Sequence, residues 1–152
     1  MRTVADLVGN TPLVVLPYGS NRLHLKLEAG NPGLSIKDRA AFHICRTLDA
    51  TVGLRGKSIV EYSSGNFGIG LALAAKVWGF RLTMVITHDT NPGMISFLRR
   101  FGVQLVMVDG DVAAAAPTGY RGFAKFLAAS SGAILIDQND NPLNVEAHYT
   151  TT

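Results

Sequence analysis

The stretch SIVEYSSGNFGIGLALAAKVWG, residues 58–79, contains the signals that decide the fold. Its first part, SIVEYSS, is a short apolar run that predicts a β-strand. A turn made of two serines, a glycine and an asparagine follows. The remainder, NFGIGLALAAKVWG, is apolar on nearly all sides and predicts a buried helix. A strand that leads through a polar turn into a buried helix is typical of one unit of an α/β sheet.

The same alternation continues towards the C-terminus. Apolar runs predict three more strands, in RLTMVIT (81–87), VQLVMVDG (103–110) and AILIDQ (133–138). Between them, apolar residues at helical spacing predict helices in NPGMISFLRRFG (91–102) and GYRGFAKFLAASSG (119–132). Alternating strands and helices predict an α/β fold with an open, parallel, four-stranded sheet and flanking helices.

The segments at the two ends of the chain do not belong to this series. PLVVLP (12–17) and LHLKLE (23–28) predict two short strands, and an amphipathic helix is expected to begin near Lys37. The last segment, NPLNVEAHYTTT (141–152), is polar and rich in turn-forming residues. It resembles an interruption of the chain more than an ending.

Composition limits the classes of protein to consider. The chain has 152 residues, of which 47% are hydrophobic, and its mean hydropathy is +0.22. These values predict one folded domain of ordinary size rather than a disordered chain. The net charge is +3, but the basic residues are scattered and the tightest pair is Arg99–Arg100. We therefore expect no nucleic-acid partner.

The compartment is also constrained by composition. With only Cys45, the chain has no internal disulfide. Its first ten residues lack the apolar core of a secretory signal, and no apolar stretch approaches the ~20 residues that span a bilayer. These features predict a cytoplasmic protein without a membrane partner. The four histidines are dispersed, so no metal site is expected.

The turn at Ser63, Ser64, Gly65 and Asn66 is the first candidate site. Ligands of open α/β sheets bind at the carboxyl ends of strands, where backbone amides at a helix N-terminus point outward. Two hydroxyls and a carboxamide at such a place suit an anion such as a carboxylate. Ordinary N-capping of the helix by Ser64 or Asn66 explains the same residues. The segment alone leaves both interpretations open.

Lys37 is the second candidate, because it lies where a Gly/Ser loop enters a helix. A solvated surface lysine is the simpler interpretation. The electropositive helix N-terminus, however, disfavours an additional positive charge there. It thereby favours the neutral amine that Schiff-base chemistry requires. Lys37 and the turn at residues 63–66 both precede a helix, so we expect them to share one cleft.

Four segments together resemble a known family. GNTPLVVL (9–16), KLEAGNPGLSIKDRAA (26–41), SSGNFGIGLALAA (63–75) and QNDNPLNVEAHY (138–149) occur in this order. They are similar to motifs of the cysteine synthase family, the pyridoxal-phosphate enzymes of fold type II. The resemblance extends over nearly the whole chain. It implies a fold like that of the tryptophan synthase β-subunit, with pyridoxal 5′-phosphate as cofactor.

The resemblance also implies roles for individual residues. Lys37 matches the lysine that forms a Schiff base with the cofactor and later acts as general base. Asn66 matches the asparagine that hydrogen-bonds the oxygen at the 3′ position of the cofactor. The residues implied to bind the α-carboxylate of the substrate are Ser63, Ser64, Gly65, Asn66 and Gln138.

The implied reaction is β-replacement on a serine-type amino acid. O-acetylserine or O-phosphoserine would react through an aminoacrylate to give cysteine or a 2,3-diaminopropionate-type product. Where sulfhydrylases usually carry a threonine after the asparagine, this chain has Phe67. We expect Phe67 to make the pocket more apolar, and the nucleophile remains open. The alternative is a catalytically silent α/β module that binds a partner or a carboxylate ligand.

The resemblance further implies that the chain corresponds to the N-terminal half of such an enzyme. Residues 1–51 are then expected to belong to a large domain completed by a C-terminal half. Residues 52–138 form the small α/β domain, and residues 139–152 begin the crossover to the missing half. That half would supply the loop for the cofactor phosphate. The family commonly forms homodimers, which we adopt as an expectation.

Overall fold

The computed structural model describes residues 2–152. Within these residues, no helix is both long enough and apolar enough to cross a bilayer. Two short 3₁₀ turns lie at Val4–Leu7 and Glu28–Gly30. The strands are β1 (Leu13–Tyr18), β2 (Asn21–Lys26), β3 (Ser58–Tyr62), β4 (Arg81–Thr87), β5 (Gln104–Val108) and β6 (Ile134–Leu135). The α-helices are α1 (Lys37–Val52), α2 (Asn66–Trp78), α3 (Pro92–Arg100), α4 (Tyr120–Ser131) and α5 (Pro142–Thr151).

A four-stranded sheet in the order β5-β4-β3-β6 forms the centre of the molecule. All three strand pairs are parallel, with Ser58 opposite Arg81 and Thr83 opposite Gln104. The predicted α/β fold is therefore confirmed. The last strand is shorter than AILIDQ predicts, because only Ile134 and Leu135 pair with β3.

Side chains on the two faces of the sheet enter two separate cores, as the two-residue period of a strand requires. Ile59 and Met84 point into the larger core, which contains α1, α2 and α3. Val60 and Val85 point into the smaller core beneath α4. The predicted helical face of α4 is confirmed by Ala124 and Ala128, which are both buried in the smaller core.

β1 and β2 form a separate antiparallel hairpin. Both strands were predicted, but burial distinguishes them from the central sheet. Their leucines and valines lie largely in solvent, with Leu13 59% exposed and Leu25 40% exposed. The hairpin therefore presents an apolar surface that the described residues do not cover.

The C-terminal segment differs from the prediction, because the residues expected to form turns form α5. The side-chain oxygen of Asn141 accepts the N–H of Leu143 at 3.0 Å, and Pro142 occupies the first helical turn. Proline suits that position because its missing N–H has no partner there anyway. Ala147 is fully buried, and the His43 and Glu146 side chains lie 3.3 Å apart. α5 is therefore anchored against α1.

Candidate functional site

Residues 31–37, here called the lysine loop, enter α1 at Lys37 through a set of local hydrogen bonds. The N–H of Leu34 donates to the carbonyl of Asn31 at 2.8 Å. The N–H of Gly33 donates to the carboxylate of Asp38 at 2.5 Å. The hydroxyl of Ser35 accepts the N–H of Lys37 at 3.1 Å. These bonds fix the backbone on both sides of the lysine.

An ion pair between the buried Arg39 and the half-buried Glu28 holds the lysine loop to the rest of the chain. The guanidinium of Arg39 donates two hydrogen bonds to Glu28, at 2.7 and 2.9 Å, and one to Thr11 at 3.0 Å. Asn31 donates to the same carboxylate at 2.9 Å. The hydrogen bond from Arg39 lowers the pKa of Glu28 to about 2, against the opposing effect of burial. Arg39 also donates to the carbonyl of Thr151, which ties α5 to this network.

Residues 63–66, here called the serine turn, connect β3 with α2. Their contacts are sparse: the hydroxyl of Ser63 accepts the N–H of Gly65 at 3.2 Å, and the carbonyl of Gly65 accepts the N–H of Gly68 at 3.0 Å. No side chain among the described residues caps the first turn of α2. Gly65 occupies the N-cap position and neither Ser64 nor Asn66 makes a capping hydrogen bond, so the N-capping interpretation is wrong for both. The backbone amides at the start of α2 are left available to a ligand.

A cleft of about 480 Å³ opens beside the serine turn. One side is formed by Ser64, Gly65 and Asn66. The other side is formed by the start of α3, with Asn91 at its cap position. The remaining residues of the lining are Ile69, Gly93, Met94 and Phe97. The cleft thus joins a polar rim of hydroxyl, amide and backbone groups to an apolar wall.

α1 and α2 cross closely beside this cleft, and Gly70 explains how they can. A Cβ at Gly70 would lie 2.8 Å from the Cβ of Ala41 and 3.4 Å from the Cα of Asp38. Gly70 lies one helical turn after Asn66, and Asp38 directly follows Lys37. The crossing therefore brings the turn that carries Lys37 against the first two turns of α2. Lys37 is half-buried, but it is not among the residues that line the cleft.

Two titratable residues near Lys37, Asp38 and His148, have shifted pKa values. Asp38 is fully buried, and its Oδ1 atom has no hydrogen-bond partner among the described residues. Burial raises the pKa of Asp38. Burial also lowers the pKa of His148 on α5, and the positive charges of Lys37 and Arg39 lower it further. The Lys37 side chain therefore lies within electrostatic reach of α5.

Gln138 is held at the carboxyl end of β3. Its side-chain amide donates to the carbonyl of Tyr62 at 3.3 Å, one residue before the serine turn. Ser63 is only 8% exposed and lies behind the rim of the cleft. Of the predicted site residues, the structure brings Ser64, Gly65 and Asn66 into one cleft. Ser63 directly precedes those residues, Gln138 contacts Tyr62 at the end of β3, and Lys37 lies on the neighbouring helix.

Several residues around the cleft were not found from the sequence. Phe67 was expected to face the pocket, but it is only 2% exposed and packs in the larger core. The apolar wall comes instead from Ile69, Met94 and Phe97. One signal could have identified the α3 side, because THDTNPGM follows the strand next to β3. The carboxyl ends of neighbouring parallel strands meet at one edge of a sheet.

Comparisons with known proteins show which family the chain resembles. Residues 4–152 match the family described as pyridoxal-phosphate dependent enzyme. The chain is 36% identical to cysteine synthase B of Pseudomonas syringae pv. syringae, over 99% of this chain and 90% of that protein. It is 34% identical to cysteine synthase B of Escherichia coli K12, over 100% of this chain and 51% of that protein.

A solved structure has the same fold. The crystal structure of an O-ureido-L-serine synthase superposes with a TM-score of 0.88 at 32% identity, over 99% of this chain and 48% of that chain. The chain therefore spans about half the length of this synthase and of the Escherichia coli relative. The expected cofactor class and fold type are confirmed by these matches. On sequence and fold together, the chain belongs to the family of pyridoxal-phosphate dependent enzymes, as a relative of the cysteine synthases with the type II fold.

Proposed function

We propose that the protein containing this chain performs β-replacement on a serine-type amino acid, with pyridoxal 5′-phosphate as cofactor and Lys37 as catalytic residue. The observation that carries the proposal is the start of α2, which lacks a capping side chain and opens on a cleft lined by Ser64 and Asn66. Free backbone amides at a helix N-terminus suit a carboxylate. The helix that carries the lysine crosses α2 beside this position.

The described residues fit one side of the cofactor. Lys37 is half-buried, and within residues 2–152 no carboxylate forms an ion pair with it. Asn66 is exposed at the cleft and offers a carboxamide for the oxygen at the 3′ position. When bound, the cofactor supplies an aldehyde for an amine and an electron sink for charge at the substrate α-carbon.

The residues of the chain would divide the remaining work. Lys37 would hold the cofactor through Nζ, and the same atom would accept the α-proton of the substrate. The hydroxyl of Ser64 and the amides at the start of α2 bind the α-carboxylate, together with the side chain of Gln138. Ser63 orders the turn through its bond to Gly65. Binding the carboxylate orients the α-proton towards Lys37.

The lining of the cleft favours an acetyl ester over a phosphate ester as leaving group. None of its eight described residues is charged, and Ile69, Met94 and Phe97 form its apolar wall. A phosphate dianion would gain no ion pair from these residues. We therefore expect a higher kcat/KM for O-acetylserine than for O-phosphoserine, measured on the same enzyme preparation. A higher value for O-phosphoserine would contradict this preference.

The exposed hairpin supports the proposed domain organisation. Residues 1–51 would join a large domain, residues 52–138 form the small domain, and residues 139–152 lead towards a C-terminal half. The apolar side chains of β1 and β2 would be covered by that half, because exposed apolar surface of this kind favours an interface. It would also supply the cofactor phosphate site. A homodimer and a cytoplasmic location remain predictions.

A second candidate is a catalytically silent module that binds a partner or a carboxylate ligand. It is favoured by one observation, that Lys37 is not among the residues that line the cleft beside the serine turn. The two candidates differ in what they require. The enzyme needs bound cofactor and a completing half, whereas the module needs neither.

Replacement of Lys37 tests the proposal. The variants are Lys37→Ala, Lys37→Arg and, as a matched control, Lys57→Ala at an exposed lysine. In the full protein containing this chain, we expect both Lys37 variants to lose at least about 1000-fold in β-replacement rate. Lys57→Ala should retain the rate of the unmodified protein. Retained activity in Lys37→Ala would refute the assignment.

A further inference from the structure

Just beyond β6, the backbone stops pairing with β3. A side chain of β3 supplies the hydrogen-bond acceptors there instead. Ile134 and Leu135 pair with β3, and the N–H of Ile136 reaches the carbonyl of Val60 at 3.4 Å. The ladder then stops. Glu61, on the same strand β3, takes over with its carboxylate. Its Oε2 accepts the N–H of Asp137 at 2.7 Å, and its Oε1 accepts the N–H of Gln138 at 3.3 Å.

This arrangement is demanding, because it places a carboxylate in the protein interior. Glu61 is fully buried, with 0% of its surface exposed. Each oxygen of the Glu61 carboxyl group accepts a different backbone N–H, and a carboxyl oxygen can accept whether or not the group carries a proton. Asp137 has a φ of 49°, a left-handed conformation that residues other than glycine rarely adopt. The hydrogen bonds from Asp137 and Gln138 to Glu61 thus lie at the bend where the chain leaves the sheet.

Other side chains also contact residues 137 and 138 at this bend. The carboxylate of Asp137 accepts the hydroxyl of Tyr62 at 2.5 Å and lies 3.1 Å from the ammonium of Lys125. The side chain of Asn144 donates to the carbonyl of Gln138 at 2.9 Å. Of these contacts, only those from Glu61 hold the backbone N–H groups of residues 137 and 138.

From this geometry we propose that Glu61 is the positioning residue for Gln138. The Glu61 carboxyl group sets the backbone from which the Gln138 side chain reaches the carbonyl of Tyr62, the residue before the serine turn. The inference rests on the proposed function, in which Gln138 helps to bind the substrate carboxylate. Glu61 itself is not catalytic, because it is buried and does not line the cleft.

The variant Glu61→Gln tests the proposal with little change in size. A glutamine has one accepting oxygen, and its NH₂ group would face an N–H donor. In the full cofactor-loaded protein, we expect KM for the amino-acid substrate to rise about tenfold, with kcat changed less than threefold. Gln138→Ala should raise KM similarly, and the double variant should raise it no further than either single variant. Glu61→Asp, which keeps both oxygens, should restore part of the loss. An unchanged KM, or effects of Glu61→Gln and Gln138→Ala that multiply in the double variant, would overturn the proposal.

Amide hydrogen exchange separates this inference from the proposed function. In the full protein, Glu61→Gln should lower the protection of residues 137 and 138 at least tenfold, whether or not a cofactor is bound. Glu28→Gln, which removes a different carboxylate that accepts hydrogen bonds, should leave those two amides unchanged. Equal protection of these two amides in Glu61→Gln and in the unmodified protein would show that Glu61 does not hold the backbone of residues 137 and 138. Failure of the proposed function would show instead as absence of cofactor on Lys37 in the unmodified protein.

Discussion

The lysine loop and the serine turn both lead into a helix at the candidate site, yet they are held very differently. The lysine loop is fixed by the Glu28–Arg39 pair and by hydrogen bonds to Gly33 and Lys37. Within residues 2–152, the serine turn has only the short contacts made by Ser63 and Gly65. The difference indicates a division of labour: one region fixes a reactive side chain, and the other leaves backbone donors free for a ligand.

A carboxyl group precedes each region, the half-buried Glu28 before the lysine loop and the fully buried Glu61 before the serine turn, and their pKa values have moved in opposite directions. Hydrogen bonds from Arg39 lower the pKa of Glu28 to about 2. Burial raises the pKa of Glu61, directly before the serine turn, to about 8, although backbone N–H donors oppose it. Hydrogen bonds, of which that from Arg39 is the largest, therefore outweigh the partial burial of Glu28, whereas backbone N–H donors do not outweigh the complete burial of Glu61.

Breaking the ion pair of the lysine loop should have the largest effect. Arg39→Met leaves the carboxylate of Glu28 without its cation, and we expect a loss of about 3–5 kcal/mol in the free energy of unfolding. Urea denaturation measures it. The double variant Arg39→Met/Glu28→Gln removes both charges and should recover part of the loss. A loss below about 1 kcal/mol for Arg39→Met would mean that the pair does not hold the loop.

The pH dependence of stability should carry opposite signs in the two regions. Glu28 has a folded pKa below its usual 4.5, so its contribution is complete above about pH 4.5 and is lost as the pH falls towards 2. The size is about 3 kcal/mol. The folded protein retains a proton on Glu61 up to about pH 8, which the unfolded chain releases near 4.5. Stability from Glu61 is therefore present below pH 4.5 and is lost as the pH rises to 8.

Matched amide variants check these signs by denaturation across the pH range. Glu28→Gln should remove most of the fall in unfolding free energy between pH 4.5 and 2, without altering the pH dependence between pH 5 and 8. Glu61→Gln should reduce the fall in unfolding free energy between pH 5 and 8 and leave the fall between pH 4.5 and 2 unchanged. If either variant instead changes the pH dependence in the range assigned to the other residue, the corresponding pKa direction is wrong.

A Cβ in the crossing of the two helices should have a smaller effect. Gly70→Ala places a methyl group 2.8 Å from the Cβ of Ala41, and we expect a loss of about 1–3 kcal/mol in unfolding free energy. Gly65→Ala is the control for stability, because a Cβ at Gly65 meets nothing within 4 Å. Thermal unfolding of both variants measures the difference. Equal stability of the two would show that α1 and α2 do not need the close approach.

The smallest effect on stability is expected at the rim of the cleft. Ser64 is exposed and caps no helix, so Ser64→Ala should change the free energy of unfolding by less than about 0.5 kcal/mol. The same variant should weaken binding of an amino-acid carboxylate severalfold, measured by titration of the cofactor-loaded full protein. Unchanged binding would remove Ser64 from the proposed carboxylate site.

Local sequence signals predicted most of the fold. Apolar runs and helical spacing identified the four parallel strands and α1 to α4, because each pattern lies within a short window. α5 was missed because its apolar residues do not form a clear stripe, and its stability comes from the Asn141 cap and from contacts with α1. The direction of Phe67 could not be predicted either, since α2 is apolar on nearly all sides.

The site was predictable only in part for a related reason. Ser64, Gly65 and Asn66 are consecutive, so one motif contains them all. Glu61 was missed because its hydrogen bonds reach residues 76 and 77 positions away. A buried carboxylate within a strand gives no local signal of its partner. The relation of Lys37 to the cleft depends in the same way on how two helices cross.

The central claim is that the amine of Lys37 holds the cofactor. The direct test is borohydride reduction of the full protein loaded with pyridoxal 5′-phosphate, followed by mass mapping of its peptides. The account predicts one phosphopyridoxyl group, attached to Lys37 and absent from Lys37→Ala. A reduced adduct on a different lysine, or an unmodified Lys37 in protein that has bound the cofactor, would contradict it.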